Sequence, residues 1–168
     1  MANPYKNNNT VAEILNDLIS IHNDRIAGYE QAIGRVTDID ESLRYAFGDI
    51  ILKAGTYKQQ LADKMKDLEV TGKKGTTIIG KIYRAWMDLK MTFNGNTRKA
   101  IIAYCQYNED IAQCAYQAAL NVHVDMNSDI RLLLEEQQET LQQTYNLVKK
   151  YREEQHFSLN PRLVYNIF

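Results

Sequence analysis

Few residues in this chain of 168 have side chains suited to catalysis or metal binding: three histidines, two cysteines and a scatter of carboxylates. A carboxylate-bridged pair of metal ions inside a helical bundle draws a Glu from each of two helices and a Glu-x-x-His from each of the other two, all aimed at the bundle axis. Projecting the helical stretches at about 100° per residue tests whether such a set converges. The first helix presents His22 near the middle of its apolar stripe, and the second presents Ala54 and Tyr57 at mid-height. The third offers Asn108, with Glu109 and Asp110 expected to turn away. The fourth puts Gln137 inward and Glu135, Glu136 and Glu139 outward. The expected buried polar core is therefore His22, Tyr57, Asn108 and Gln137, a neutral set that does not balance two metal ions. His22 is the one candidate metal ligand, and its plainer reading is a core imidazole bonded to amide partners. No catalytic residue and no cofactor is assigned.

Other reactive groups point to less. Cys105 and Cys114 share one helix at a spacing that sends them to opposite sides, so reduced packing thiols are expected. Gly72-Lys73-Lys74-Gly75 is not a phosphate loop, because no Gly-Lys-Ser/Thr follows a strand. Trp86 reads as a plug, and the eleven tyrosines read as core and rim residues suited to an interface.

The elements that must position these groups are amphipathic helices. Both prolines, Pro4 and Pro161, stand near the termini, so the span between them lacks the strongest helix breaker. The first helix is expected to open at Thr10, where Thr10 and Glu13 have capping-box spacing, and to end at Gly34. Its stripe is Val11, Leu15, Leu18, Ile26, Tyr29 and Ile33. A second helix from near Asp38 carries Leu43, Phe47, Ile50, Ala54, Tyr57, Leu61, Met65 and Leu68. A third, capped by Asn96, carries Ile101, Tyr104, Ile111, Ala115 and Val122. A fourth, capped by Asn127-Ser128, carries Ile130, Leu134, Leu141, Tyr145 and Val148. One-sided helices of this kind satisfy one another in a bundle.

The connection from Glu69 to Gly95 is too long for a tight turn and holds a short amphipathic helix, Thr77 to Met91, with Ile79, Ile82, Trp86 and Leu89 on one stripe. Such a crossover can carry the chain along the bundle and make its flanking helices parallel. The expected organisation is a polar arm over 1–9, a bundle over 10–156 with its crossover at 69–95, and an apolar tail over 157–168. The tail presents Phe157, Leu159, Leu163, Val164, Tyr165, Ile167 and Phe168, apolar surface that either folds back or docks on a second copy.

Composition narrows the partners. A net charge of −1 with mixed signs gives no basic field for nucleic acid, and no apolar run approaches the roughly 20 residues of a membrane span. The opening residues lack the apolar core of a signal peptide, so a cytoplasmic location is expected.

Three segments then carry a resemblance. Leu15 to Ile33, Gly80 to Lys90 with Trp86, and Tyr104 to Leu120 resemble, in order, the opening helix, linker and third helix of an uncharacterised bacterial four-helix-bundle family in the ferritin-like superfamily. The resemblance runs from about Val11 to Tyr151. It implies an all-α ferritin-like bundle and no settled activity. The functional expectation is a non-enzymatic binding or assembly protein, a homo-oligomer joined through bundle faces and the tail. The alternative is a ferritin-like metal-binding protein or di-metal oxidoreductase.

Overall fold

The computed structural model describes residues 4–35, 41–69, 95 and 97–158. Their regular structure is four α-helices: α1 (Pro4–Arg35), α2 (Glu41–Lys66), α3 (Arg98–Asn121) and α4 (Ser128–Ser158). The short helix expected between Thr77 and Met91, with Trp86, lies outside the described residues, as does the tail from Leu159 onward.

Three boundaries differ from expectation. The first helix begins at Pro4, so residues 4–9 continue α1 and are not a separate arm. Proline suits a first helical turn, where its missing N–H leaves no bond unmade. Asn8 then reaches across to the carbonyl of Glu69 at 3.2 Å, giving the asparagine run a partner that local patterning does not reveal. The cap of α3 is Thr97, not Asn96: its hydroxyl accepts from the Ala100 N–H at 3.2 Å. At the other end α4 runs on to Ser158, past the expected limit at residue 156. Asn127 does stand at the start of α4, its side-chain oxygen accepting from the Asp129 N–H at 2.8 Å.

The packing order follows from which side chains meet. Rising through α1, His22, Arg25 and Tyr29 meet Tyr116 and then Glu109 on α3, so these two helices run antiparallel. On α2 and α4, Leu61 shares an apolar cluster with Leu134 and Leu141, while Phe47 and Ile50 share another with Val148, so this pair is antiparallel too. Helix α1 packs along α2, and α3 along α4. Hence α2 and α3 are parallel, and the ends joined by residues 70–94 lie at opposite ends of the bundle.

The apolar core is divided. One cluster gathers Val11, Leu15, Leu18, Leu61, Ala115 and Leu134 toward one end. The other gathers Tyr29, Phe47, Ile50, Ile102, Cys105 and Val148 toward the opposite end. Between them lies a polar layer.

Candidate functional site

The polar layer is built by α1, which sends three side chains from successive turns toward α3. His22, Arg25 and Tyr29 stand three and four positions apart, the spacing that stacks residues on one helix face. They lie within the run Leu18, Ile21, Tyr29 and Ala32, which is buried throughout. Opposite them, α3 offers Glu109 and Tyr116, two turns apart.

Arg25 and Glu109 form a fork-to-carboxylate pair, with Arg25 3% and Glu109 0% exposed. Arg25 Nε donates to Glu109 Oε1 at 3.1 Å, and Nη2 donates to Oε1 at 2.8 Å and to Oε2 at 2.9 Å. The Tyr29 hydroxyl adds a bond to Oε1 at 2.8 Å. Two desolvated charges tolerate burial when their donors and lone pairs are matched in this way. Burial works against the charge on Arg25, and the adjoining Glu109 carboxylate outweighs it, so the guanidinium pKa rises. Burial, reinforced by that carboxylate, pushes the Tyr29 phenol well above its ordinary value. The Cys105 thiol, one turn before Glu109, is raised for the same two reasons and stays protonated.

From Arg25 a single-file chain of hydrogen bonds leads outward. Arg25 Nη1 lies 3.3 Å from His22 Nδ1, and His22 Nε2 lies 2.7 Å from the Tyr116 hydroxyl. That hydroxyl donates to Gln137 Oε1 at 2.6 Å, and Gln137 Nε2 donates to Gln60 Oε1 at 2.8 Å. Arginine has donors and no acceptor, which fixes every direction along the chain. His22 Nδ1 must accept, so Nε2 carries the proton and donates to Tyr116, which donates to Gln137, which donates to Gln60 at the exposed end. All four helices contribute, and aligned bonds of this kind strengthen one another in a low-dielectric interior. Protonating His22 would set an N–H against the guanidinium. Burial first, then Arg25 and Lys58, hold its pKa well below the usual histidine value.

The expected polar residues are placed as follows. His22 is 0% exposed, and Gln137 is buried beside Tyr116. Asn108 is buried, but its Nδ2 has no hydrogen-bond partner and abuts Gly28, outside the chain of bonds. Tyr57 is half-buried and edge-on to the His22 ring at 5.7 Å, contributing its backbone carbonyl to Gln137 at 3.5 Å. The expectation that Glu109 turns away is wrong. Helix α3 buries adjacent pairs, Ile101 with Ile102, Tyr104 with Cys105, and Asn108 with Glu109, so its inward face is broader than one stripe. Asp110 does face outward and is exposed. Arg25, a charged residue, carries no apolar-stripe signal of its own in the sequence. Its signal was a place three residues after His22 and four before Tyr29.

The donors present do not fit a di-metal carboxylate centre. Among the described residues one carboxylate reaches the layer, and its oxygens accept from Arg25 and Tyr29. The unprotonated nitrogen of His22 points at a cation. Glu-x-x-His spacing occurs once, at Glu153 and His156 near the end of α4, where Glu153 is exposed and pairs with Lys149 at 3.9 Å. Among the described residues, no group of three or more His, Cys, Asp or Glu side chains is arranged to hold a metal ion. No described helix is long and apolar enough to cross a membrane.

No curated protein matches the chain. Among solved structures, a mutant of Mycobacterium smegmatis Dps1 superposes with a TM-score of 0.73 at 18% identity, covering 88% of this chain and 97% of that one. At that identity the likeness concerns the fold, a four-helix bundle of the ferritin-like type. A family model for a domain of unknown function, DUF2383, matches residues 10–122, the span containing the whole α1–α3 half of the polar layer, and the chain belongs to that family.

Proposed function

We propose that this protein is a binding and assembly module that associates with copies of itself through the outer face of α2 and its C-terminal segment, with no catalytic role for the bundle interior. The observation that carries the reading is a shallow, open groove of about 450 Å³ along one face of α2, mostly apolar and lined by Arg44, Tyr45, Gly48, Asp49, Ile51 and Leu52. Tyr45 is 78% and Leu52 is 72% exposed, two large apolar side chains two turns apart on one face. A Cβ on Gly48 would meet nothing within 4 Å, so packing within the described chain does not require a glycine there. Small residues between large ones let a second segment lie close to the helix backbone.

The occupant we assign is the apolar segment 157–168 of a neighbouring copy. Near the end of α4, Val148 and Tyr151 pack in the same cluster as Phe47, Ile50 and Ile51, so α4 finishes at the end of the bundle where the groove lies. The ten residues after Ser158 span up to about 33 Å when extended. Leu159, Leu163, Val164, Tyr165, Ile167 and Phe168 offer apolar anchors for such a groove. A tail-to-groove contact is heterologous, so it closes into a ring or continues as a filament.

Sedimentation of the full chain, of Leu52→Glu and of a chain lacking 157–168 tests this. Association lost in both variants at unchanged helicity supports it. Equal mass in all three, with lower melting temperature on deletion, means that the segment packs on its own bundle. Metal analysis of chelator-free protein tests the metal-binding alternative, which near-stoichiometric iron or manganese would favour.

A further inference from the structure

In carboxylate four-helix bundles the metal ions sit in the core, between Glu and His side chains that project inward from facing helices. Here the polar layer between the two apolar clusters holds a guanidinium. It is gripped by the inward carboxylate, Glu109, at 2.8, 2.9 and 3.1 Å, and by the inward imidazole, His22, at 3.3 Å. The same carboxylate takes the Tyr29 hydroxyl. Both carboxylate oxygens of Glu109 accept from Arg25, and the unprotonated nitrogen of His22 faces it too.

We propose that Arg25 is the resident cation of this bundle: its guanidinium holds Glu109 and His22 in the manner that a metal ion holds its ligands, and its removal opens a latent site for a small cation. Three features make the assignment specific to arginine. The carboxylate is engaged side-on by two nitrogens of one planar fork, a geometry an ammonium group does not reproduce. Arg25 also sets the proton position on His22, which leaves Nδ1 as a free-standing acceptor once the guanidinium is gone. The space vacated by truncation is then bordered by a carboxylate and an imidazole lone pair, oxygen and nitrogen donors of the kind a divalent transition ion takes. The native chain has this position filled by its own side chain and needs no metal there. The inference stands apart from self-association, since it concerns the interior alone.

The test is thermal melting and calorimetric titration of the full chain, wild type against Arg25→Ala, with guanidinium chloride in the low millimolar range, sodium chloride at matched concentration, and zinc or manganese chloride. Arg25→Ala should melt lower than wild type and recover a clear part of the loss with guanidinium but not with sodium. It should bind zinc at one site at least tenfold tighter than wild type does. Adding His22→Gln to Arg25→Ala should abolish the tight zinc site. Arg25→Lys keeps the charge and is expected to melt between the two, with no guanidinium response. A wild-type chain whose melting temperature rises with iron, manganese or zinc, in a manner lost in His22→Gln, overturns the proposal whether or not Arg25→Ala folds. So does a folded Arg25→Ala that responds neither to guanidinium nor to zinc.

Discussion

Arg25 on α1 and Glu109 on α3 meet side-on in the middle of the bundle, both desolvated, with the Tyr29 hydroxyl closing the second approach to the carboxylate. The pair sits between two apolar clusters and fixes the register of α1 on α3, because a one-turn slide would strand each charge in hydrocarbon. Breaking such a pair from one side leaves an uncompensated buried charge, at a cost of about 3–5 kcal/mol. That is a large part of the roughly 5–15 kcal/mol that holds a domain folded. Arg25→Ala is expected to lose that much in urea unfolding. Arg25→Met with Glu109→Leu removes both charges and should recover about 2 kcal/mol or more of it. A double variant no better than the single would show that the charge pairing is not what the single substitution breaks.

His22 makes the interior sensitive to acid. The folded state holds the imidazole neutral, with a pKa well below the ordinary value, through burial and then through Arg25 and Lys58. The unfolded chain takes up its proton near pH 6.5. Stability is therefore complete above about 6.5 and falls as pH drops from there toward the lowered folded pKa, at up to about 1.4 kcal/mol per pH unit. His22→Gln should be less stable at pH 7.5 but flatter between pH 7 and 5.5. Parallel stability curves for the two proteins over that range would contradict the assignment.

At Gly28, α1 lies tight against Asn108 and Tyr104 of α3. A Cβ at position 28 would stand 2.6 Å from Asn108 Nδ2 and 3.3 Å from the Tyr104 ring. Gly28→Ala should thus cost about 1–3 kcal/mol through overpacking, against the roughly 0.5–1 kcal/mol that alanine gains over glycine within a helix. Asn108 Nδ2 is unpartnered, so Asn108→Ala removes the 2.6 Å contact without breaking a bond of that nitrogen and leaves the looser one to Tyr104. On that background Gly28→Ala should become neutral or stabilising in a double-mutant cycle. Additive costs would place the strain elsewhere.

Much of the fold was legible in the residues. Leu15, Leu18, Phe47, Ile50, Leu134 and Leu141 keep helical period, and all are buried. The length of the link between the second and third helices implies that the two run parallel, as they do, on a diagonal of the bundle and not side by side. The interior was half legible. His22 and Gln137 fall on narrow stripes that a simple projection finds. Glu109 does not, because α3 packs against two helices and buries both Asn108 and Glu109, which a single-stripe reading separates. Charged residues are also presumed to face water, and the pairing that overrides the presumption spans two helices. The start of α1 is hidden from local patterning for a similar reason: Asn8 is held by the carbonyl of Glu69, a partner far along the chain.

The proposed self-association through the outer face of α2 is read from native mass. Sedimentation velocity of the full chain should give an assembly larger than one chain at micromolar concentration. Tyr45→Glu with Leu52→Glu should reduce it to a single chain, with folding stability changed by no more than about 0.5 kcal/mol per exposed site. A wild-type protein that sediments as one chain at tens of micromolar, indistinguishable from the double variant, would contradict the account.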